Sequence, residues 1–324
     1  MQDIQRPGWT LVWNDEFDGP AIDRSKWDFD LGNGFYDYRV HEWVPGWGNQ
    51  ELQYYTADEE NVQLRDSCVF IRAVKAPLHG CGYTSARLKT KARDGRLLFG
   101  KLYGRIEVRA RVPWGKGLWP AIWMLPVDDK YGGWAASGEI DLMEIVGEQP
   151  HEVLNSLHFG SSYPRRSLIT TTHRLPGRSR VSDWHTYAVE WEPGEVRFFV
   201  DDVQTCTYRH WWSCSKLEAE QGVQATTETD LNPWPAPFDQ PFYLVMNNVI
   251  QDRATAVMVL GGFAVVQIIV HMVYFLHMNG KIQGGWTMLS TIFTVVFVAI
   301  AIAGTLWVMF HMNTNMMPMH PNAP

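Results

Sequence analysis

The last 71 residues of this 324-residue chain carry a single formally charged side chain, Lys281. Two stretches in that region, residues 254–278 (ATAVMVLGGFAVVQIIVHMVYFLHM) and 286–310 (WTMLSTIFTVVFVAIAIAGTLWVMF), contain no charge at all. A helix of either length spans about 30 Å of hydrocarbon with some tilt. The link between them, residues 279–285 (NGKIQGG), is made of turn formers. Trp286 and Trp307 stand near the two ends of the second stretch, where amphipathic rings anchor at a membrane interface. A pair of core helices in a large soluble protein fits this length and this lack of charge poorly. The sequence therefore predicts a membrane hairpin over residues 251–324, with transmembrane helices at about 254–278 and 286–310 and membrane lipid as its surroundings.

The preceding residues are of another kind. Residues 1–253 hold 62 of the 63 charged side chains, all four cysteines and 14 of the 16 tryptophans. About a quarter of them are charged, as in ordinary soluble domains. Acids outnumber bases, 35 to 27, which argues against a polyanion partner, so no nucleic acid is expected. Four cysteines are too few for a disulfide scaffold. The first residues, MQDIQRPG, lack an apolar core of the kind a secretory signal needs. The chain reads as two regions, 1–250 and 251–324, joined near residue 250.

Hydrophobicity in the first region alternates with period 2. In residues 103–111 (YGRIEVRAR), Tyr103, Arg105, Glu107, Arg109 and Arg111 share one face, and Gly104, Ile106, Val108 and Ala110 share the other. Residues 184–191 and 196–200 flank EPGE, a hairpin turn. Strand-like sequence begins at Trp9, and residues 209–240 read as a long rim loop. Short strands at this spacing predict an all-β sandwich.

The chemistry concentrates in residues 137–146 (SGEIDLMEIV), where three carboxylates fall within six residues of an apolar strand. Strict alternation puts Glu139 and Asp141 on one face and Glu144 on the other. One extra residue, a β-bulge after Asp141, returns Glu144 to the shared face. Two carboxylates facing one cleft suit glycoside hydrolysis, one attacking the anomeric carbon and the other protonating the leaving oxygen. Asp141 between them adds negative charge that raises the acid's pKa. A solvated strand face with ordinary acids is the bland alternative. Tryptophans nearby (Trp114, Trp119, Trp123 and Trp134, with Trp43 and Trp47 upstream) weigh against it, because tryptophans in a polar, loop-rich setting serve as sugar platforms.

Six ordered segments over residues 9–247 resemble glycoside hydrolase family 16, in particular its laminarinase-like endo-1,3-β-glucanases. They are residues 13–19 (WNDEFDG), 46–56 (GWGNQELQYYT), 85–91 (SARLKTK), 119–126 (WPAIWMLP), 137–144 (SGEIDLME) and 238–244 (FDQPFYL). The resemblance implies a concanavalin-like β-jelly-roll sandwich with an open cleft, and a retaining mechanism acting on β-1,3-glucan. It implies Glu139 as nucleophile, Asp141 as its assisting acid and Glu144 as general acid/base. Substrate contacts carry over onto Asn49, Arg87, Trp119, Trp123, Trp134 and His158. No cofactor is implied. Glu16 matches a position near the family's frequent structural calcium site, but the aspartate that site takes from the last strand has no counterpart, so no metal is expected. Cys206 and Cys214 flank a short loop and can pair under oxidising conditions, and four free thiols is the equal alternative.

The family pattern would continue after Asn247 with a closing strand beside the N-terminal strand. This chain has no such segment and runs into the uncharged region instead, so the last strand is expected to be missing. Residues 253–319 resemble subunit IV of cytochrome o ubiquinol oxidase without its first helix. The matching residues are 265–267 (VVQ), 271–279 (HMVYFLHMN), 285–286 (GW), 304–309 (GTLWVM) and 315–317 (NMM). That subunit holds no haem, so His271 and His277 are expected to make packing or interfacial contacts. The resemblance places Lys281 on the cytoplasmic side and the sandwich on the periplasmic or extracellular side. The whole reads as a fusion, or a join of two truncated genes. Three functions follow. The first is a membrane-tethered endo-β-1,3-glucanase. The second is an accessory subunit of a quinol oxidase with an inactive sandwich appended. The third is a β-glucan-binding module without turnover. Retention of both glutamates favours the first.

Overall fold

The computed structural model describes residues 6–251, apart from 40, 164 and 216–229. The membrane hairpin expected at 254–278 and 286–310, with His271, His277 and Lys281, lies outside the described residues. Among the described residues no helix is long and apolar enough to cross a membrane.

Alternating sequence produces the strands. In chain order they are β1 (Asp28–Asp30), β2 (Gly34–Asp37), β3 (Glu42–Pro45), β4 (Gln53–Tyr55), β5 (Val62–Arg65), β6 (Cys68–Ile71), β7 (Tyr83–Ser85), β8 (Arg87–Lys89) and β9 (Gly104–Ala110). They continue as β10 (Leu118–Pro126), β11 (Glu139–Glu144), β12 (Glu152–Gly160), β13 (Arg166–Arg174), β14 (His185–Glu192), β15 (Glu195–Val200), β16 (Val203–Tyr208) and β17 (Phe242–Ile250). A seven-stranded sheet runs β1-β8-β17-β10-β11-β12-β13, and a four-stranded sheet runs β16-β15-β14-β9. Every pairing in both is antiparallel. This is the all-β jelly-roll sandwich that the sequence predicts, with the EPGE turn joining β14 to β15.

The core lies between the two sheets. Ile122, Met124, Ile140, Leu142, Met143 and Leu157 of the larger sheet meet Tyr187, Val189, Trp191, Val196 and Phe198 of the smaller one. β9 obeys its period: Ile106 and Val108 pack on the core, while Arg105 pairs on the outer face with Glu107 at 2.7 Å and Glu190 at 2.9 Å. A central strand such as β11, apolar toward the core, is left free to carry polar groups only on its other face.

The strand expected from Trp9 does not form. Residues 9–13 have no strand assignment, and Leu11 and Val12 are exposed. A strand needs a paired neighbour to satisfy its backbone, and none lies beside this segment among the described residues. It is held by side chains instead: Arg6 binds Glu107 and Asp202, and Trp13 stacks on Phe99 with centroids 4.6 Å apart. β17, the last strand described, is central, between β8 and β10. The closing strand whose absence the sequence predicts would fall after it, beyond residue 251. The rim loop is irregular in its described parts. All four cysteines are free, so the Cys206–Cys214 pairing does not form, and the Cys214 thiol donates to the Asp230 carbonyl instead.

Candidate active site

The three acids of β11 reach one face because the strand is bulged. Against β10, Trp123 pairs with Asp141 and Ile122 with Met143, so Leu142 has no partner. Against β12, Asp141 pairs with Ser156 and Glu144 with Leu154, again with a break in register. Ile140, Leu142, Met143 and Ile145 all enter the core, so two consecutive apolar residues point inward and Glu139, Asp141 and Glu144 share the opposite face. Gly138 sets the strand's entry. Its φ is +90°, and a Cβ there would stand 3.0–3.1 Å from Phe238, Phe242 and Pro237, so a larger residue is both strained and crowded.

Each glutamate is held by a tryptophan. The Trp134 indole donates to Glu139 Oε2 at 2.8 Å, and the Trp119 indole donates to Glu144 Oε1 at 3.0 Å. Ser156 adds a longer bond to Glu144 Oε2 at 3.4 Å. His158 of β12, paired across from Glu139, places Nε2 3.5 Å from Glu139 and 3.3 Å from Asp141. Its ring lies 5.3 Å from that of Trp134, and the Arg166 guanidinium lies 5.2 Å from the Trp134 ring centre.

Burial and mutual repulsion dominate the electrostatics. Desolvation pushes the Glu139 carboxyl up to about 8, and the charges of Asp141 and Glu144 add to the rise. His158 and the Trp134 hydrogen bond oppose it. Desolvation, with the Glu144 charge, also drives Asp141 well above the usual carboxylate range. Asp141 is 2 % exposed with Oδ2 unbonded. Glu139 and Asp141 are thus both held above the ordinary carboxylate range. One atom each from Glu139, Asp141 and His158 lies within 4.8 Å of the others, so among the described residues this is a group able to hold a cation.

The remaining expected contacts lie on β10, β8 and the segment before β4. The Trp123 indole donates to Asn247 Oδ1 at 2.7 Å. Arg87 is buried, with its guanidinium 4.6 Å from the Trp47 ring centre and 4.7 Å from that of Trp123. Its charge meets Asp30 at 3.1 Å. Asn49 is exposed, and its amide donates to Glu51 at 3.3 Å. All nine expected residues thus belong to the seven-stranded sheet or the loops around it. Sequence reasoning missed Glu51, Tyr55, Ser156, Arg166 and Asn247, which hold the others. Glu51 and Tyr55 stand in the GNQELQYYT segment, whose alternate polar residues were the available signal.

Residues 41–213 match the family model described as Glycosyl hydrolases family 16. The sequence is 42% identical over 249 residues to a "Beta-glucanase" of Rhodothermus marinus, covering 74% of this chain and 75% of that protein. It is 37% identical to "Glucan endo-1,3-beta-glucosidase A1" of Niallia circulans, of which it spans only 33%. The laminarinase structure from Rhodothermus marinus superimposes with a TM-score of 0.60 at 37% identity, covering 77% of this chain and 89% of that one. Residues 240–302 match a second model, Prokaryotic Cytochrome C oxidase subunit IV, so the chain joins sequence of two families. That second match begins just before β17, the last strand of the sandwich. On the first match, the bulged acidic strand and the shared fold, the chain belongs to glycosyl hydrolase family 16 and is a glycoside hydrolase.

Proposed function

We propose that the sandwich is a retaining endo-β-1,3-glucanase, tethered to a membrane by residues 251–324. The bulge at Leu142 carries this reading, because it turns Glu139, Asp141 and Glu144 to one side of a central strand. Glu139 is the nucleophile. Its Oε2 is already aimed by the Trp134 indole, and it attacks the anomeric carbon as the glycosidic bond breaks. Glu144, held by Trp119, protonates the departing oxygen, and then takes a proton from the water that releases the sugar from Glu139. Asp141 and His158 flank Glu139 and set how much charge it carries before attack. Glu144 raises the Glu139 pKa through space. Retaining enzymes hold their two carboxyl groups about 5–5.5 Å apart, with the second acting as nucleophile. The names of the relatives support a β-glucan substrate. In this reading Trp119, Trp123 and Trp134 are its platforms, Asn49 and Arg87 stand beside them, and the reaction uses neither metal nor cofactor.

The test is release of reducing sugar from laminarin by the full-length chain. Activity lost on Glu139→Gln and on Glu144→Gln supports the reading, and folded wild-type protein without activity rejects it. A second reading rests on residues 240–302, whose family match favours an oxidase-associated membrane segment. It places membrane lipid and quinol oxidase subunits among the partners and the sandwich on the periplasmic or extracellular side. Co-purification with the oxidase supports that part, and an oxidase isolated from the same membranes without this chain counts against it.

A further inference from the structure

In the segment before β4 lies a carboxylate that the reaction does not use. Glu51 is 7 % exposed, and both of its oxygens accept hydrogen bonds. Oε2 accepts from the Tyr55 hydroxyl at 2.9 Å and the Gln53 amide at 2.5 Å. Oε1 accepts from the Asn49 amide at 3.3 Å. The Tyr55 hydroxyl accepts in turn from the Asn247 amide at 2.9 Å, and Asn247 Oδ1 accepts the Trp123 indole at 2.7 Å.

This chain has one sense only. An indole N–H can only donate and a carboxylate can only accept, so both ends are fixed. Between them the Tyr55 proton must point at Glu51, which leaves the oxygen to receive the Asn247 amide. Asn247 must then turn its own oxygen to Trp123. Reversing any link sets donor against donor. Burial raises the pKa of this carboxyl group, and the Arg87 charge opposes that rise. Arg87 lies between the rings of Trp47 and Trp123. Glu51 is thus the common terminus for the Trp123 ring and the Asn49 amide.

We propose that Glu51 is a positioning residue for glucan binding, fixing the orientation of Trp123 and Asn49 without touching the sugar. The proposal rests on the glucanase reading above. Glutamine at this position keeps the shape but turns one acceptor into a donor, which then opposes Tyr55 and Gln53 or Asn49. Phenylalanine at Tyr55 removes the link to Asn247 and leaves Glu51 its Gln53 and Asn49 donors.

The experiment measures kcat and KM on laminarin for the full-length chain, its Glu51→Gln and Tyr55→Phe variants and the double variant. Tryptophan fluorescence on titration with laminarihexaose is followed alongside. Both single variants should raise KM about ten-fold while kcat stays within about three-fold. The double variant should be little worse than either single one, because both break one chain. The ligand-induced fluorescence change should shrink in both, as Trp123 loses its fixed setting. A thermal midpoint that drops with KM and fluorescence response unchanged overturns the proposal. So does a loss confined to kcat. Should Glu51→Gln fail to fold, Tyr55→Phe decides by the same readouts. Wild-type protein that neither binds nor cleaves the glucans overturns the function itself, and this inference with it. Wild-type cleavage with unaltered KM in folded variants overturns this inference alone.

Discussion

Replacing Glu139 by glutamine should abolish turnover and stabilise the fold at neutral and alkaline pH. An ordinary glutamate ionises at 4.5, whereas burial and the Asp141 and Glu144 charges push Glu139 to about 8. The folded state therefore holds this proton more tightly than the unfolded chain does. Stability from this source is complete below pH 4.5 and is lost as pH rises through about 8. The whole displacement is worth roughly 5 kcal/mol above both values. Asp141 shares the charge, so about half of that, ~2 kcal/mol, is the working figure for Glu139 alone. Glutamine is nearly isosteric, still accepts from Trp134 and has no charge to desolvate. For a domain of this size the gain corresponds to a thermal midpoint roughly 5 °C higher. The assay is thermal unfolding of the full-length chain and the variant, in the same mild detergent, from about pH 4.5 to pH 9. The two curves should converge at the acid end and separate as pH rises. A variant less stable than wild type at pH 8 refutes the reasoning. A gap of equal size at every pH also refutes it, because the cause would then be packing rather than charge.

Other outcomes follow from the same geometry. Asp141→Asn removes a charge that holds the Glu139 pKa up, so the acid limb of kcat/KM should move about one unit to lower pH while kcat falls. An acid limb that stays in place would separate Asp141 from the Glu139 titration. Glu144→Ala should lose most turnover on laminarin, but retain far more on a glucoside whose leaving group needs no proton, as steady-state rates on the two substrates would show. Phe198, fully buried between the sheets, should cost about 3–5 kcal/mol when changed to alanine, measured by urea unfolding.

Much of this was legible in the sequence, and for identifiable reasons. The period of β9 and the EPGE turn are local signals, and both survive in the fold. The bulge was legible because three acids and four apolar residues share β11 and its continuation, and only a register break sends each kind to its own side. The N-terminal segment was misread because Leu11 and Val12 look like strand residues, yet a strand also needs a neighbour, which local pattern does not show. The rise on Glu139 and Asp141 was not foreseen. Burial outweighs pairwise charge here, and Trp134 from the turn before β11 and His158 from β12 both stand against Glu139. Glu51, Tyr55 and Asn247 escaped for a related reason. Their chain joins residues up to 192 positions apart, from β4, β17 and β10, a juxtaposition that local sequence pattern does not show.

The central claim is that Glu139 and Glu144, brought to one face by the bulge, cleave a β-glucan through a covalent glycosyl-enzyme. Proton NMR of the anomeric signals during the first minutes of laminarin hydrolysis by the full-length chain tests it most directly. The account predicts that the β-anomer appears first, before mutarotation produces the α-form. Initial appearance of the α-anomer, or no hydrolysis by folded protein, contradicts it.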